Sequence, residues 1–360
     1  MDRKVVGFGE ILGAIRPVGY AAFGDSNEYV ILAGGSEANV LAKVGGLAKG
    51  IKTQFVSKMK DDLMGRLLRM DMQKHTIGMD YVIWTNADRN GLCFVEQGLG
   101  PIIAEGGYDR ANSAIAKANP GEFNFSCLQG ADAFFTSGIT AALSKNCLKN
   151  TKIALEEARK NKVPSFIDIN YRNKLWTPKQ ANKALTEMIE NELFTSVIIT
   201  ETDAKVVFGV DKNFDDDKPM DDLVGCCEKI SAELHEQFKG KVPIIIMTIR
   251  KRVSNETGQW TSVALVNGKD FITSDRFNYV VLDRFGAGDS CSAGIIGGFI
   301  GVNPQGNIDD KAPLNERIKN GLNLGNRMSV VVQKTVSDLG PQWSSQEYFK
   351  RVGKSREISR

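Results

Sequence analysis

The sequence predicts an α/β fold: a doubly wound, mostly parallel sheet with helices on both faces, carrying a small β-sheet lid. Three observations carry that expectation. Short, continuous apolar runs rich in β-branched residues recur along the chain, separated by longer stretches of helical character, the pattern of strands buried on both faces. Two regions, 12–33 and 81–112, break this rhythm with closely spaced glycines and aromatics such as Trp84 and Phe94, and read as hairpin-like strands projecting from the core as a lid. The length, 360 residues with 42% hydrophobic content, is enough for one sizeable core.

In chain order the core strands are "KVVGFGE" (Lys4–Glu10), "TQFVSKM" (Thr53–Met59), "DAFFTSG" (Asp132–Gly138), "VPSFIDIN" (Val163–Asn170), "SVIITET" (Ser196–Thr202) and "VPIIIMTI" (Val242–Ile249). Helices are expected over Asn146–Asn161 and Thr177–Glu192, and a further strand over Phe277–Leu282. The acidic stretch "DKNFDDDKPMDD" (Asp211–Asp222) reads as a solvated, turn-rich loop. No internal repeat or low-complexity linker interrupts the chain, so residues 1–360 are expected to form a single domain.

Composition excludes several function classes. Lys and Arg number 46 against 43 Asp and Glu, a net charge of +3, which gives no basis for a nucleic-acid or membrane-surface partner. The N-terminus lacks the apolar core of a signal peptide, and the longest uncharged apolar run, Ala293–Val302, is about half of a bilayer span, so a cytoplasmic location is expected. Six cysteines without a CxxC spacing read as reduced thiols rather than a disulfide frame or zinc site. The only histidines, His75 and His235, read as surface helix residues, which leaves little room for histidine-based catalysis.

The chemistry concentrates in "LDRFGAGDS" (Leu282–Ser290), where a strand is followed by Gly286-Ala287-Gly288-Asp289 and a helix. In open α/β sheets, ligands bind beyond the carboxyl ends of strands, where helix N-termini present free N–H groups. Glycine lets a phosphate approach the main chain and permits positive φ. Asp289 has two readings: a helix cap worth about 1 kcal/mol, or a general base beside N–H groups that stabilise a transferring phosphoryl group. The stretch matches neither GxxxxGK[ST] nor GxGxxG, and the missing GxGxxG after the first strand also argues against a dehydrogenase.

"DRFGAGDSCSAG" resembles the C-terminal signature of the ribokinase-like (PfkB) carbohydrate kinases; "GFGEIL" resembles their first strand, and "AGGSEANVLAKVGGLA" (Ala33–Ala48) their sugar-binding di-glycine and asparagine. The resemblance spans nearly the whole chain. It implies that Gly286, Ala287 and Gly288 form an anion hole, that Asp289 is the catalytic base, and that Gly34, Gly35 and Asn39 hold sugar hydroxyls. It also implies ATP and Mg2+ as cofactors, with room for a monovalent cation such as K+. "IITETDAKVVFG" resembles the family's Asn-x-x-Glu segment, so Thr200 and Asp203 fall on the nucleotide side, with Asp203 as an outer-shell carboxylate for magnesium. Thr248 and Arg250, in "MTIRKR", fall at triphosphate contacts, and the adenine pocket is expected along Gly321–Val332, with Asn323 or Asn326.

Three stretches are similar to 2-keto-3-deoxygluconate kinases within that family: "GGYDRANSAIA" (Gly106–Ala116), "SGITAAL" (Ser137–Leu143) and "DINYRNKLWTP" (Asp168–Pro178). They place Tyr108, Arg110, Ile139, Asn170 and Arg172 around the substrate. Two arginines suit a carboxylate, for which a planar, permanently charged fork is the matching donor; the alternative for each is a surface ion pair worth about 0–1 kcal/mol. Asp168 and Asn170 read equally as a strand-end turn. Three positions depart from the subgroup pattern: Cys93 where a tyrosine is common, Ala14 where a longer polar residue is common, and Cys291 in place of a phenylalanine. The expected activity is ATP-dependent phosphorylation of a terminal hydroxyl of a small sugar acid, 2-keto-3-deoxygluconate above all. The departures keep a kinase for fructose or another deoxy-keto acid in view, and the Thr200/Asp203 segment keeps a non-catalytic sensor in view. Apolar lid faces often pair, so a homodimer or larger assembly is expected.

Overall fold

The computed structural model describes residues 2–98 and 102–353. The chain runs β1 (Arg3–Phe8), β2 (Leu12–Pro17), β3 (Tyr29–Gly34), α1 (Ser36–Gly45), β4 (Ile51–Lys60), α2 (Leu63–Lys74), β5 (Ile77–Thr85), β6 (Gly91–Glu96) and β7 (Glu105–Asp109). It continues through β8 (Ala133–Ser137), α3 (Gly138–Ala142), α4 (Lys145–Lys160), β9 (Ser165–Asp168), α5 (Pro178–Glu190), β10 (Ser196–Ile199), α6 (Glu201–Phe208) and α7 (Met220–Gln237). The last third comprises β11 (Ile244–Arg252), β12 (Thr257–Val266), β13 (Asp270–Thr273), β14 (Phe277–Val280), α8 (Ala287–Phe299), α9 (Leu314–Val332) and α10 (Ser345–Arg351).

The large sheet has the order β13-β12-β11-β10-β9-β8-β1-β4-β5, with β14 beside β12. From β11 to β5 every pairing is parallel. The central parallel strands β8, β9 and β10 are short and buried throughout, as in "SVII" and "SFID", because helices cover both faces. One face packs against α1, α8 and α9 and the other against α4 to α7, so the sheet separates two apolar layers. A second sheet, β3-β2-β6-β7, stands apart and has a small apolar cluster of its own around Leu12, Ala14, Cys93 and Val95.

Local chemistry sets the helix starts that matter for the site. Thr177 caps α5 in a capping box with Gln180 and Pro178 at the first position. Thr200 caps α6 by accepting the Asp203 N–H, which fixes the turn after β10. α8 lies backbone to backbone on α9: a Cβ on Gly294 would sit on Gly325, and one on Gly298 on Gly321. The small-residue run after "GAGD" therefore seats α8 deeply and aims its N-terminus.

Two expectations need correction. Tyr81–Thr85, including Trp84, belongs to β5 at the edge of the large sheet, so the second sheet takes its strands from 12–17, 29–34, 91–96 and 105–109 rather than from residue 81 onward. β5 pairs parallel with β4 through seven residue pairs, and as the terminal strand of the sheet it is only partly buried, as a projecting hairpin strand would be. The strand expected over Phe277–Leu282 forms as β14 but ends at Val280, and it pairs antiparallel with β12.

Candidate active site

The carboxyl ends of β8 to β11, the N-termini of α6 and α8 and the inner face of the small sheet enclose a cavity of about 600 Å3. This is where an open α/β sheet places its ligands.

At its centre the chain turns into α8. Gly286 has φ +77°, and a Cβ there would collide with the Asp338 carbonyl, so only glycine fits. The first N–H groups of α8 have no helical partner and face the cavity side, at the positive end of the helix dipole. Gly288 is exposed, and the nearest atom to a Cβ placed there would be the Asp168 carboxylate at 3.9 Å. Asp289 is the third residue of α8, but no side chain caps this helix. Its carboxylate instead accepts hydrogen bonds from Ser36 Oγ and Asn39 Nδ2 of α1, both at 2.7 Å. Burial raises its pKa, against the lowering effect of these two bonds and of Lys43 and Arg172. The cap reading thus gives way to a carboxylate aligned by two donors.

Beside this turn lie Asp168, Asp203, Thr200 and Arg172. Burial pushes Asp168 well above its ordinary value, and repulsion from Asp203 and Asp289 adds to the shift. Burial likewise raises Asp203 to about 6. No ion pair involves either acid among the described residues. Arg172 is exposed, donates one hydrogen bond to the Tyr171 carbonyl and bears electrostatically on all three acids. Further along, Thr248, Arg250 and Arg252 of β11 and Arg284 line the same wall. Burial depresses the Arg250 pKa, and crowding by Arg252 and Arg284 works in the same direction despite the opposing pull of Tyr279. Three guanidiniums gathered in one cavity form a site for a polyanion.

At the other end, Gly35, Ser36 and Asn39 face Tyr108, Arg110 and Cys93 from the small sheet, with Ile139 and Asn170 from the core. Cys93 pairs with Ala14 on one side and Tyr108 on the other. Burial raises its thiol to about 11, so it stays neutral. The Arg110 guanidinium stacks 4.3 Å from the Tyr108 ring centre and lies 3.4 Å from Glu10. Arg110 therefore both forms an ion pair and lines the cavity.

Of the residues singled out from sequence, Gly35, Asn39, Tyr108, Arg110, Ile139, Asn170, Arg172, Thr200, Asp203, Thr248, Arg250 and Gly286 to Asp289 meet in this one cavity. Two do not. Gly34 sits behind it, next to the Asp338 carboxylate. Asn323 accepts the Asp275 N–H, and Asn326 bonds to Ser262 and Ser274, so both serve the seam between α9, β12 and the β13–β14 turn. Sequence reasoning missed Ser36, Arg16, Arg284 and Asp338. Arg16 had a signal: it lies two residues beyond Ala14, on the same face of β2. Asp338 had none.

Residues 3–335 match the family described as pfkB family carbohydrate kinase. The chain is 30% identical over 211 residues to 2-dehydro-3-deoxygalactonokinase of Haloferax volcanii, covering 59% of this chain and 65% of that protein. It is 26% identical over 268 residues to 5-dehydro-2-deoxygluconokinase 2 of Bacillus cereus, covering 74% and 73%. The crystal structure of 2-dehydro-3-deoxygluconokinase from Thermotoga maritima superposes with a TM-score of 0.84 at 26% identity, covering 98% of each chain. With the match running almost from end to end, and the cavity built where that fold builds one, the chain belongs to the pfkB family of carbohydrate kinases.

Proposed function

We propose that the protein transfers the γ-phosphoryl group of ATP to a terminal hydroxyl of a small sugar acid, 2-keto-3-deoxygluconate above all, giving the 6-phosphate. The observation that carries this reading is the Asp289 carboxylate, aligned by Ser36 and Asn39 at the start of α8, in one cavity with the arginine cluster. Asp289 takes the proton of the acceptor hydroxyl as that oxygen bonds to the γ-phosphorus and the bond to the ADP oxygen breaks. The Gly286–Gly288 N–H groups meet the charge on the phosphoryl oxygens, and Thr248, Arg250 and Arg284 hold the triphosphate.

Gly35 and Asn39 bind the sugar hydroxyls, while Tyr108, Ile139 and Asn170 shape the pocket. Arg110 and Arg172 take the carboxylate end, and the small sheet acts as the lid that keeps water from competing for the phosphoryl group. A carboxyl-bearing acceptor explains two arginines on the sugar side better than a neutral sugar does. The relatives named for dehydro-deoxy sugar acids support the same class.

The buried acids Asp168 and Asp203, neither in an ion pair among the described residues, fit magnesium. They supply hard oxygen donors to an ion that keeps most of its ligands from water and phosphate. Asp168 and Asp203 would hold the ion, which would supply positive charge to offset that of the phosphates. A second cavity, of about 740 Å3, is lined by Phe277 and Asn278 of β14, Val330 of α9 and Lys334, and supports a base-binding role for the end of that helix. Six free thiols fit the reducing cytoplasm, and no helix among the described residues is long and apolar enough to cross a membrane. Tyr29, Val30 and Ile31 expose an apolar edge strand on the small sheet, which supports pairing with a second copy.

A coupled ATP assay over 2-keto-3-deoxygluconate, 2-keto-3-deoxygalactonate, fructose and ribose tests the reading. We expect turnover on the acids with kcat/KM at least tenfold above the neutral sugars. A preference for a neutral sugar overturns the acid assignment, and silence on all four with ATP still bound favours a sensor.

A further inference from the structure

Behind the anion-binding turn lies a knot of charges that the reaction scheme above does not use. Arg16 of β2 is 1% exposed, and its guanidinium bridges two carboxylates, Nη1 to Asp283 and Nη2 to Asp338. Its carbon also lies 5.3 Å from the centre of the Phe285 ring. Lys43 of α1 is buried, and its ammonium donates to two successive carbonyls, Asp338 O at 2.8 Å and Leu339 O at 2.5 Å.

Each partner touches the turn or what the turn rests on. Asp283 accepts the Phe285 N–H at 3.1 Å, which folds the loop leading into Gly286, and it also accepts Gln97 Nε2 from the end of β6. Gly286 lies directly on the Asp338 carbonyl. Lys43 belongs to the helix whose Ser36 and Asn39 hold Asp289. Carboxylate and carbonyl oxygens are the donors a hard metal cation takes. Here two cations of the chain itself meet them, a guanidinium on the two carboxylates and an ammonium on the two carbonyls.

We propose that Arg16 and Lys43 are the resident counter-cations of this loop: they stand in place of a bound monovalent ion, fix Asp283 and Asp338, and thereby preset the Gly286–Gly288 N–H groups for phosphoryl transfer. Both are positioning residues. Because Arg16 comes from the small sheet, it also ties the seating of that sheet to the geometry of the turn. Preset donors stabilise charge in the transition state without reorganising, so the consequence falls on kcat rather than on ground-state binding. The planar fork is essential, since only guanidinium reaches two carboxylates in fixed directions.

The inference rests on the kinase reading, and the two are separated by design: wild-type turnover on the acceptor panel tests the reading, and the ratio of variant to wild type tests the inference. We expect Arg16→Ala to lower kcat at least 100-fold with KM for ATP and acceptor changed less than fivefold, and millimolar guanidinium to restore at least tenfold. Arg16→Lys keeps the charge and the fold but loses the bridge, and should lower kcat about tenfold. Wild-type kcat should agree within twofold in potassium, sodium and tetramethylammonium salts, a measurement that needs no variant. A loss in Arg16→Lys confined to KM, an Arg16→Ala enzyme with unchanged kcat, or wild-type activity that requires potassium each overturns the proposal.

Discussion

The two ends of the cavity are built in different ways. The end proposed for phosphate is made by backbone and core: a glycine turn on a deeply seated helix, strand ends of the parallel sheet, and a carboxylate held by two hydrogen bonds from α1. The end proposed for the sugar is made largely by side chains of a separate four-stranded sheet, where Cys93 sits between Ala14 and Tyr108 and Arg110 leans on Glu10. On that proposal, phosphoryl chemistry is tied to a geometry that few substitutions can leave intact. Acceptor choice would then depend on a few side chains that can be exchanged while the core stays folded.

Substitutions at the two ends sharpen this contrast. The largest effect belongs to Asp289→Asn, which keeps the hydrogen-bonding shape but cannot take the proton; we expect kcat to fall about 10²–10⁴-fold while calorimetry still detects ATP and acceptor binding. A variant retaining half of wild-type kcat would remove Asp289 from the mechanism. Next is Arg110→Met. Losing a charge-assisted contact to the acid should raise KM for the sugar acid about 10–100-fold, with kcat and the ATP KM little changed. An equal effect on a neutral acceptor would show that Arg110 acts only through Glu10.

A smaller effect is expected at Cys93→Tyr. The added hydroxyl should shift the kcat/KM ratio between gluco- and galacto-configured acids by about tenfold without abolishing transfer on either. If both acids change in parallel, Cys93 has no part in discrimination. The smallest effect concerns pH. The folded-state pKa of Asp203, about 6, lies above its ordinary value, so ionising it costs stability as pH rises from about 4 to 6, and a cation beside it relieves that cost. Magnesium should therefore raise Tm more at pH 7.5 than at pH 5, and equal gains at both pH values would place the ion elsewhere.

The same contrast explains what the sequence disclosed. The parallel strands were legible because burial on both faces leaves uninterrupted apolar runs, and the turn at Gly286 was legible because positive φ and close approach leave glycine alone as a choice. The seating of Asp289 on Ser36 and Asn39 was not, since hydrogen bonds across 253 and 250 residues leave no local spacing to detect. β5 was misplaced because an edge strand, like a projecting hairpin strand, is only partly buried. The bond that Asn323 accepts from the Asp275 N–H was not legible either, because a polar residue on a helix serves a strand turn or a ligand equally well. Asp338 lies in irregular chain after α9, where only tertiary contact with Arg16 and Gly286 gives it meaning.

The central claim, that this cavity joins ATP to the end of a sugar acid through Asp289, is tested most directly by phosphorus NMR on the products formed from ATP and 2-keto-3-deoxygluconate. We expect one new phosphomonoester signal, coupled to the terminal methylene protons, growing in step with ADP and absent with Asp289→Asn. ADP released together with free phosphate and no ester, or the same ester formed at full rate by the variant, would contradict it.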